Sequence, residues 1–323
     1  MNIDFARYYV WSSGEPDKHI NKMLTDVPSK AVIFGPEECD VSSDWGQFNN
    51  ILNSIDLTVV TGAANKDHLP HHATPDSATL ILWPTFWMTK TYSDLNFNKI
   101  EHLNVPIDNL YISLNNRAKH HRCLMMDKLC NHDLIKYGHI SWHMADAVKY
   151  QWQHWEPTKL IVDSDNICLW SMPNVYKSTL FNLITESDTS AVFITEKTCT
   201  AILYKKPFIV LGAKGFHKVL TDMGFQLYDE LFDYAFDNEP DLKARVNGII
   251  DNINNLKDQD YELLRQRVKD KTEHNYNRIV ELSTSKKHVP DFMLQYIDAL
   301  NKNPELITTS DMTYLALEKL WTI

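Results

Sequence analysis

Residues 195–212 read Thr195-Glu196-Lys197-Thr198-Cys199-Thr200-Ala201-Ile202-Leu203-Tyr204-Lys205-Lys206-Pro207-Phe208-Ile209-Val210-Leu211-Gly212. Thr195 to Tyr204 has the pattern of a helix, with Thr195 as its N-cap. Pro207 to Gly212 is a short continuous apolar run, the signature of a strand covered on both faces. The same alternation extends outward. On the N-terminal side come Ala31-Val32-Ile33-Phe34 before Gly35-Pro36, a helical face of Phe48, Ile51, Leu52 and Ile55, and the strand-like runs Leu57 to Gly62 and Thr79 to Pro84. Leu110 to Leu114 reads as a strand, Arg122 to Leu134 as a helix and Lys159 to Val162 as another strand. Asp241 to Ser283 carries helical spacing through Val246, Ile249, Ile250, Ile253 and Leu256. Strand–helix–strand order with apolar strands predicts an α/β protein of two doubly wound domains and a helical C-terminal part. Pro106, in the polar stretch Asn104 to Asn109, marks a hinge, so the expected divisions are 1–105, 106–285 and a helical tail at 286–323.

The length agrees, since 323 residues at about 150 per domain give about two domains. Hydrophobic residues make up 44% of the chain, enough for a sizeable core, and only nine glycines argue against a linker-like or collagen-like chain. The five cysteines, Cys39, Cys123, Cys130, Cys168 and Cys199, are odd in number and lack C-x-x-C spacing, so reduced core thiols are expected. The first residues have no basic segment followed by an apolar one, and the longest mostly apolar run, Ala78 to Met88, is broken by Pro84. A cytoplasmic protein with no membrane span is expected.

Charge is unevenly placed. Net charge is −10, which argues against nonspecific nucleic-acid binding, since affinity for duplexes comes largely from neutralised phosphates. Yet residues 109–126 hold Arg117, Lys119 and Arg122 with no acid, and residues 197–218 hold Lys197, Lys205, Lys206, Lys214 and Lys218 with no acid. These islands carry +8 against −18 elsewhere. Each lies where a predicted strand meets a predicted helix, and helix N-termini at strand carboxyl ends favour anions. Lys197 is pointed evidence: a cation in a helix's first turn opposes the dipole at about 0.3–1 kcal/mol, and a bound phosphate reverses that sign. Glu196 beside it suits ribose hydroxyls.

Common phosphate motifs are missing: there is no G-x-G-x-x-G and no G-x-x-x-x-G-K-[ST], and no G-x-S-x-G elbow. Instead, Val192-Phe193-Ile194-Thr195-Glu196-Lys197, Ala201 and Lys206-Pro207-Phe208-Ile209-Val210-Leu211-Gly212 resemble the donor-site signature of GT-B glycosyltransferases of the α-1,3-fucosyltransferase kind. They look closer still to phage and bacterial glycosyltransferase-like proteins. Met223-Gly224-Phe225, the acidic-aromatic run Tyr228 to Asp233, Leu183-Ile184-Thr185-Glu186 and Ser113 to Arg117 with His121-Arg122 extend the likeness over residues 110–235. The resemblance implies two Rossmann-like domains, with the acceptor domain N-terminal and the donor domain C-terminal. It also implies a sugar moved from a GDP- or UDP-linked donor to a hydroxyl, with inversion and no required cofactor. Lys197 and Arg122 or Arg117 would neutralise the diphosphate, Thr195 would cap the helix at the donor site, Glu196 would hold the ribose and Glu186 would lie near the nucleoside or sugar. The acceptor would be a glycan, a small molecule or a modified nucleic-acid base.

An inverting transfer needs a base for the acceptor proton. Glu38, after the first apolar run, is the candidate, followed by Asp67 and His68. Asp163-Ser164-Asp165 resembles a D-x-D metal site, so a divalent-metal-dependent transferase using Asp163 and Asp165 is a rival reading. Asp67, His68, His71 and His72 are better read as a surface cluster than a metal site, and Trp142, Trp152, Trp155 and Trp170 as core for at least half their number. A nucleotide or sugar-phosphate binding protein without activity is the alternative outside catalysis.

Overall fold

The computed structural model describes residues 7–10, 30–34, 56–61, 79–82, 105–115, 119–142, 174–190 and 192–284. The predicted helix at Phe48 to Ile55 and strand at 159–162 lie outside these residues, as do Glu38, Asp67, His68, His71, His72, Arg117, Trp152, Trp155, Asp163, Asp165 and Trp170. The chain divides into two compact units, residues 1–89 with 284–323, and residues 90–283.

In the first unit β1 (Arg7–Val10), β2 (Lys30–Phe34), β3 (Asp56–Thr61) and β4 (Thr79–Leu82) form a parallel sheet in sequence order. The pairing Ala31↔Leu57, Ile33↔Val59 and Val59↔Leu80 joins the apolar runs across the sheet.

The second unit holds another parallel sheet, of β5 (Asn109–Asn115), β6 (Gly138–Trp142), β7 (Thr179–Thr185) and β8 (Phe208–Leu211), in the order β6-β5-β7-β8. All seven residues of β7 and all four of β8 are buried, as expected when helices cover both faces. The helices are α1 (His120–Asn131), α2 (Glu196–Leu203), α3 (Phe216–Asp222), α4 (Leu242–Leu256), α5 (Tyr261–Arg267) and α6 (Lys269–Thr284). α1 packs on α4, α2 on β7 and β8, and α5 on β7. No helix among the described residues is long and apolar enough to cross a membrane.

Helix ends follow from local chemistry. Asp241 and Asp260 cap α4 and α5 by accepting the Ala244 and Leu263 amides. α1, α2 and α3 end alike, with Asp133, Lys205 and Gly224 in the left-handed region. The following amides, Leu134, Lys206 and Phe225, donate back to Leu129, Ala201 and Leu220, the Schellman closure. At Gly224 the glycine is required twice: φ is +90°, and a Cβ would sit 2.9 Å from Arg278 Nε. Gly138 opens β6 because a Cβ there would lie 2.4 Å from the Tyr111 ring.

The acidic-aromatic run serves packing. Phe225, Tyr228, Leu231 and Phe232 are buried, with Phe232 edge-on to Phe181 of β7 and Tyr228 edge-on to Phe208 of β8. α6 holds this segment: Asn275 exchanges bonds with the Gln226 backbone and donates to Tyr228 Oη, and Arg278 donates to the Met223 carbonyl. His217 and Asp237 form a buried pair at 2.8 Å, but Nε2 of His217 accepts the Val210 amide. Nε2 thus fastens α3 to β8 and Nδ1 fastens it to the turn Ala235–Asn238, so both ring nitrogens are spent on structure and the pair is not a proton relay. Cys123 and Cys199 are buried and form no disulfide among the described residues.

Candidate functional site

In the second sheet β6 lies on one side of β5 and β7 on the other, so the winding reverses between β5 and β7. Ligands of open α/β sheets bind at the carboxyl ends of strands at such a reversal. Here the two strand ends are joined by Thr185 Oγ1 donating to Asn115 Oδ1 at 2.6 Å. Ser141, at the end of β6, accepts the Asn115 amide through its hydroxyl at 3.0 Å. The edge is therefore lined with short polar groups held in place by each other.

Two helices begin at this edge. α2 starts at Thr195, whose Oγ1 accepts the Lys197 amide, an N-cap worth about 0.5–2 kcal/mol. The fully buried carboxylate of Glu186, just past β7, organises that cap. Its oxygens accept the Thr195 amide at 3.2 Å, the Thr195 hydroxyl at 2.5 Å and the Thr198 hydroxyl at 2.8 Å. Glu186 thus faces the first turn of α2 and stands 3.9 Å from Lys197 Nζ.

From α1, His121 and Arg122 reach the same segment. His121 Nε2 donates to the Glu186 carbonyl at 2.8 Å, which fixes the tautomer. Burial drives the His121 pKa down to about 4, the Arg122 and Lys119 charges adding to the effect while the bond to Glu186 and the Asp188 charge oppose it. The ring is therefore neutral at physiological pH. Arg122 is buried, and its Nη2 donates to the carbonyls of Thr185 and Glu186 at 3.3 and 3.4 Å. Its guanidinium anchors the backbone at the end of β7.

Lys119 and Lys197 both donate to Ser187. Lys119 Nζ donates to the Ser187 carbonyl at 2.7 Å and Lys197 Nζ to the Ser187 hydroxyl at 3.3 Å. Lys197 also donates to Thr195 Oγ1 and, at 3.0 Å, to Glu196 Oε1. Burial alone would raise the Glu196 carboxyl, but the charge and hydrogen bond of Lys197, with further bonds from its own amide and Thr195, hold it below its ordinary value. The side chains of Lys197 and Glu196 keep 19% and 27% of their surface, so this pair is the open part of the site.

No family model matches the chain, and no curated protein matches it.

The residues expected from sequence therefore fall into groups. Thr195, Glu196, Lys197, Glu186 and Arg122 come together, while Arg117 and Glu38 lie outside the described residues. Lys119, His121 and Ser187 join them, and in the sequence Lys119 stands out only as one charge of the first basic island. The second island divides in space. α2 has eight residues, about 12 Å of rise, so Lys205 and Lys206 are carried to the opposite, amino edge of the sheet. Lys218 is exposed and paired with Asp222. Among the described residues no group of His, Cys, Asp or Glu side chains is arranged to hold a metal ion.

Proposed function

We propose that the protein is a glycosyltransferase that moves a sugar from a nucleoside-diphosphate sugar to a hydroxyl acceptor, with the donor diphosphate at the carboxyl edge between β5 and β7. The observation that carries this reading is that Lys119 and Lys197 both donate to Ser187 at the strand-order reversal, where two helices begin. An entering diphosphate exchanges the Lys197–Glu196 pair for ammonium–phosphate contacts, and the released Glu196 carboxylate accepts hydrogen bonds from the ribose. In the transfer the acceptor oxygen attacks the anomeric carbon as the bond to the diphosphate breaks. The electron pair leaves on a phosphate oxygen, and fixed cations stabilise it most where water is excluded. The buried Arg122 and neutral His121 keep the end of β7 rigid beneath the ligand. Glu38 is the proposed acceptor base, and the proposed arrangement is of the GT-B kind, inverting and free of metal.

The test is a thermal-unfolding panel with GDP, UDP, CMP and their sugars, with and without Mg²⁺ or Mn²⁺. A nucleotide at about 100 times its dissociation constant adds about 2.7 kcal/mol, a shift of several degrees. Metal-independent stabilisation by one diphosphate, lost in Lys197→Ala, together with donor turnover, is the expected result. Stabilisation that requires the metal would transfer the role to Asp163 and Asp165, binding without turnover would leave a nucleotide-binding protein, and no stabilisation by any nucleotide would overturn the reading.

A further inference from the structure

A second concavity lies at the other edge of the β5–β8 sheet. It is a cavity of about 440 Å³ between the start of β7 at Thr179, the turn from Tyr204 to Pro207 that leads into β8, and the junction of α5 with α6. Its volume falls in the range of small-molecule sites. Its charged lining is Lys177, Lys205, Lys206, Arg265, Lys269 and Glu273, five cations to one acid. Tyr204, partly exposed, adds an apolar wall, and the fully buried Tyr176 backs it with its ring edge-on at 5.3 Å.

Lys206 is the distinctive member. The left-handed Lys205 turns the chain back at the end of α2, and Lys206 follows with only 6% of its surface exposed. Its ammonium donates to the carbonyl and, at 3.1 Å, the hydroxyl of Thr179, and stands 5.0 Å from the centre of the Tyr176 ring. Burial, with the Arg265 charge adding to it, lowers its pKa to about 7. Glu273 engages Lys205 at 2.6 Å and Glu262 engages Arg265 at 2.5 Å, so each nearby carboxylate has a nearer cation than Lys206. Lys206 thus lines the cavity beside the Arg265 charge with no ion pair of its own among the described residues, an arrangement that a bound dianion relieves.

We infer that this amino-edge cavity binds a small phosphate monoester with an apolar or aromatic body, at a site separate from the carboxyl edge. The phosphate dianion sits beside the Lys206 and Arg265 cations with Lys269 at the rim, and the organic part lies against Tyr204. The inference is independent of the transferase reading, because the two sites lie at opposite ends of β7, a strand of seven residues and so about 20 Å long.

Phenyl phosphate, titrated calorimetrically into the full chain at neutral pH in two buffers of different ionisation enthalpy, tests it. The expected result is saturable binding with uptake of part of a proton, because the bound dianion favours the charged form of Lys206 over its half-charged state. Lys206→Met, replacing a buried cation with an apolar chain of similar volume, removes the uptake and weakens binding by about tenfold or more. Lys269→Gln, at an exposed position, weakens it by about threefold. Lys197→Ala leaves it unchanged. No binding at about 10 mM, equal binding of uncharged phenol, or unchanged affinity in both Lys206→Met and Lys269→Gln overturns the inference. Should Lys206→Met fail to fold, Lys269→Gln and Lys177→Gln decide by the same criterion.

Discussion

Replacing Glu186 with alanine separates a carboxylate that positions α2 from one that touches ligand. The side chain is fully buried and accepts from the Thr195 amide, the Thr195 hydroxyl and the Thr198 hydroxyl. Each buried donor left without a partner costs about 1–3 kcal/mol. The Thr195 amide is fixed at a helix start and cannot turn elsewhere, so it bears the larger cost. The two hydroxyls rotate and recover part of theirs. Attraction to Lys197 at 3.9 Å adds little, because that side chain is 19% exposed and water screens it. The total is about 3–5 kcal/mol, and at about 2–4 °C per kcal/mol for a unit of this size the melting temperature falls by about 6–20 °C. Glu186→Gln, which keeps the shape, falls between the two. The assay is calorimetric unfolding of the ligand-free protein. A Glu186→Ala protein melting within about 2 °C of the unaltered one would refute the positioning role and return Glu186 to the ligand.

Other perturbations read different parts of the structure. His121 has a folded pKa of about 4 against an ordinary 6.5, so as pH falls the unfolded chain takes the proton first. Its contribution, fully present above pH 6.5, is lost as pH falls through about 4, about 3 kcal/mol in all. Urea unfolding at pH 7 and pH 4 should show a smaller loss for His121→Gln than for the unaltered protein, and equal losses would count against a buried neutral ring. Gly224→Ala should cost about 1–2 kcal/mol from its positive φ alone, with displacement of Arg278 adding to it, measured as a lower denaturant midpoint at unchanged slope. Thr195→Val should destabilise the ligand-free protein by about 1–2 kcal/mol through loss of the N-cap. Lys197→Ala should leave the ligand-free melting temperature within about 2 °C of the original while weakening nucleotide binding by about tenfold.

Sequence carried the strands that are apolar throughout. The readings at 31–34, 57–62, 79–84, 110–114 and 207–212 match β2, β3, β4, β5 and β8 to within a residue or two, and helices stand near 122–134 and 195–204. β7, the central partner of β5, was not legible because Asn182 splits its apolar run into two pairs and threonines stand at both ends. Only the fold reveals that Asn182 is buried and donates to the Tyr176 hydroxyl. β6 escaped for a similar reason, with Gly138, His139 and Ser141 in five residues. The Thr195-Glu196-Lys197 core of the site was legible because an N-cap followed by an ill-placed cation is a local signal. Its partner Lys119 was not, since the contact with Ser187 spans 68 positions. The grouping of Lys197 with Lys205 and Lys206 shows the limit of charge counted along a chain, because a short helix delivers its two ends to opposite edges of the sheet.

The strand order also sets a timetable for synthesis. β5, α1 and β6 are contiguous and can pair as soon as they leave the ribosome, but the other edge of β5 waits for β7. The Asn115–Thr185 bond that ties the two strand ends spans 70 positions, roughly 4–14 s of translation at about 5–20 residues per second. Through that interval β5 presents an unpaired apolar edge, the condition under which nascent α/β chains associate wrongly. Asn115, Lys119, His121, Arg122 and Ser141 of the candidate carboxyl-edge site are made early, but its backbone floor, both carboxylates and Lys197 arrive with or after β7. The proposed site is therefore completed in one late step, and on that proposal a ligand present during folding captures only chains that have completed it.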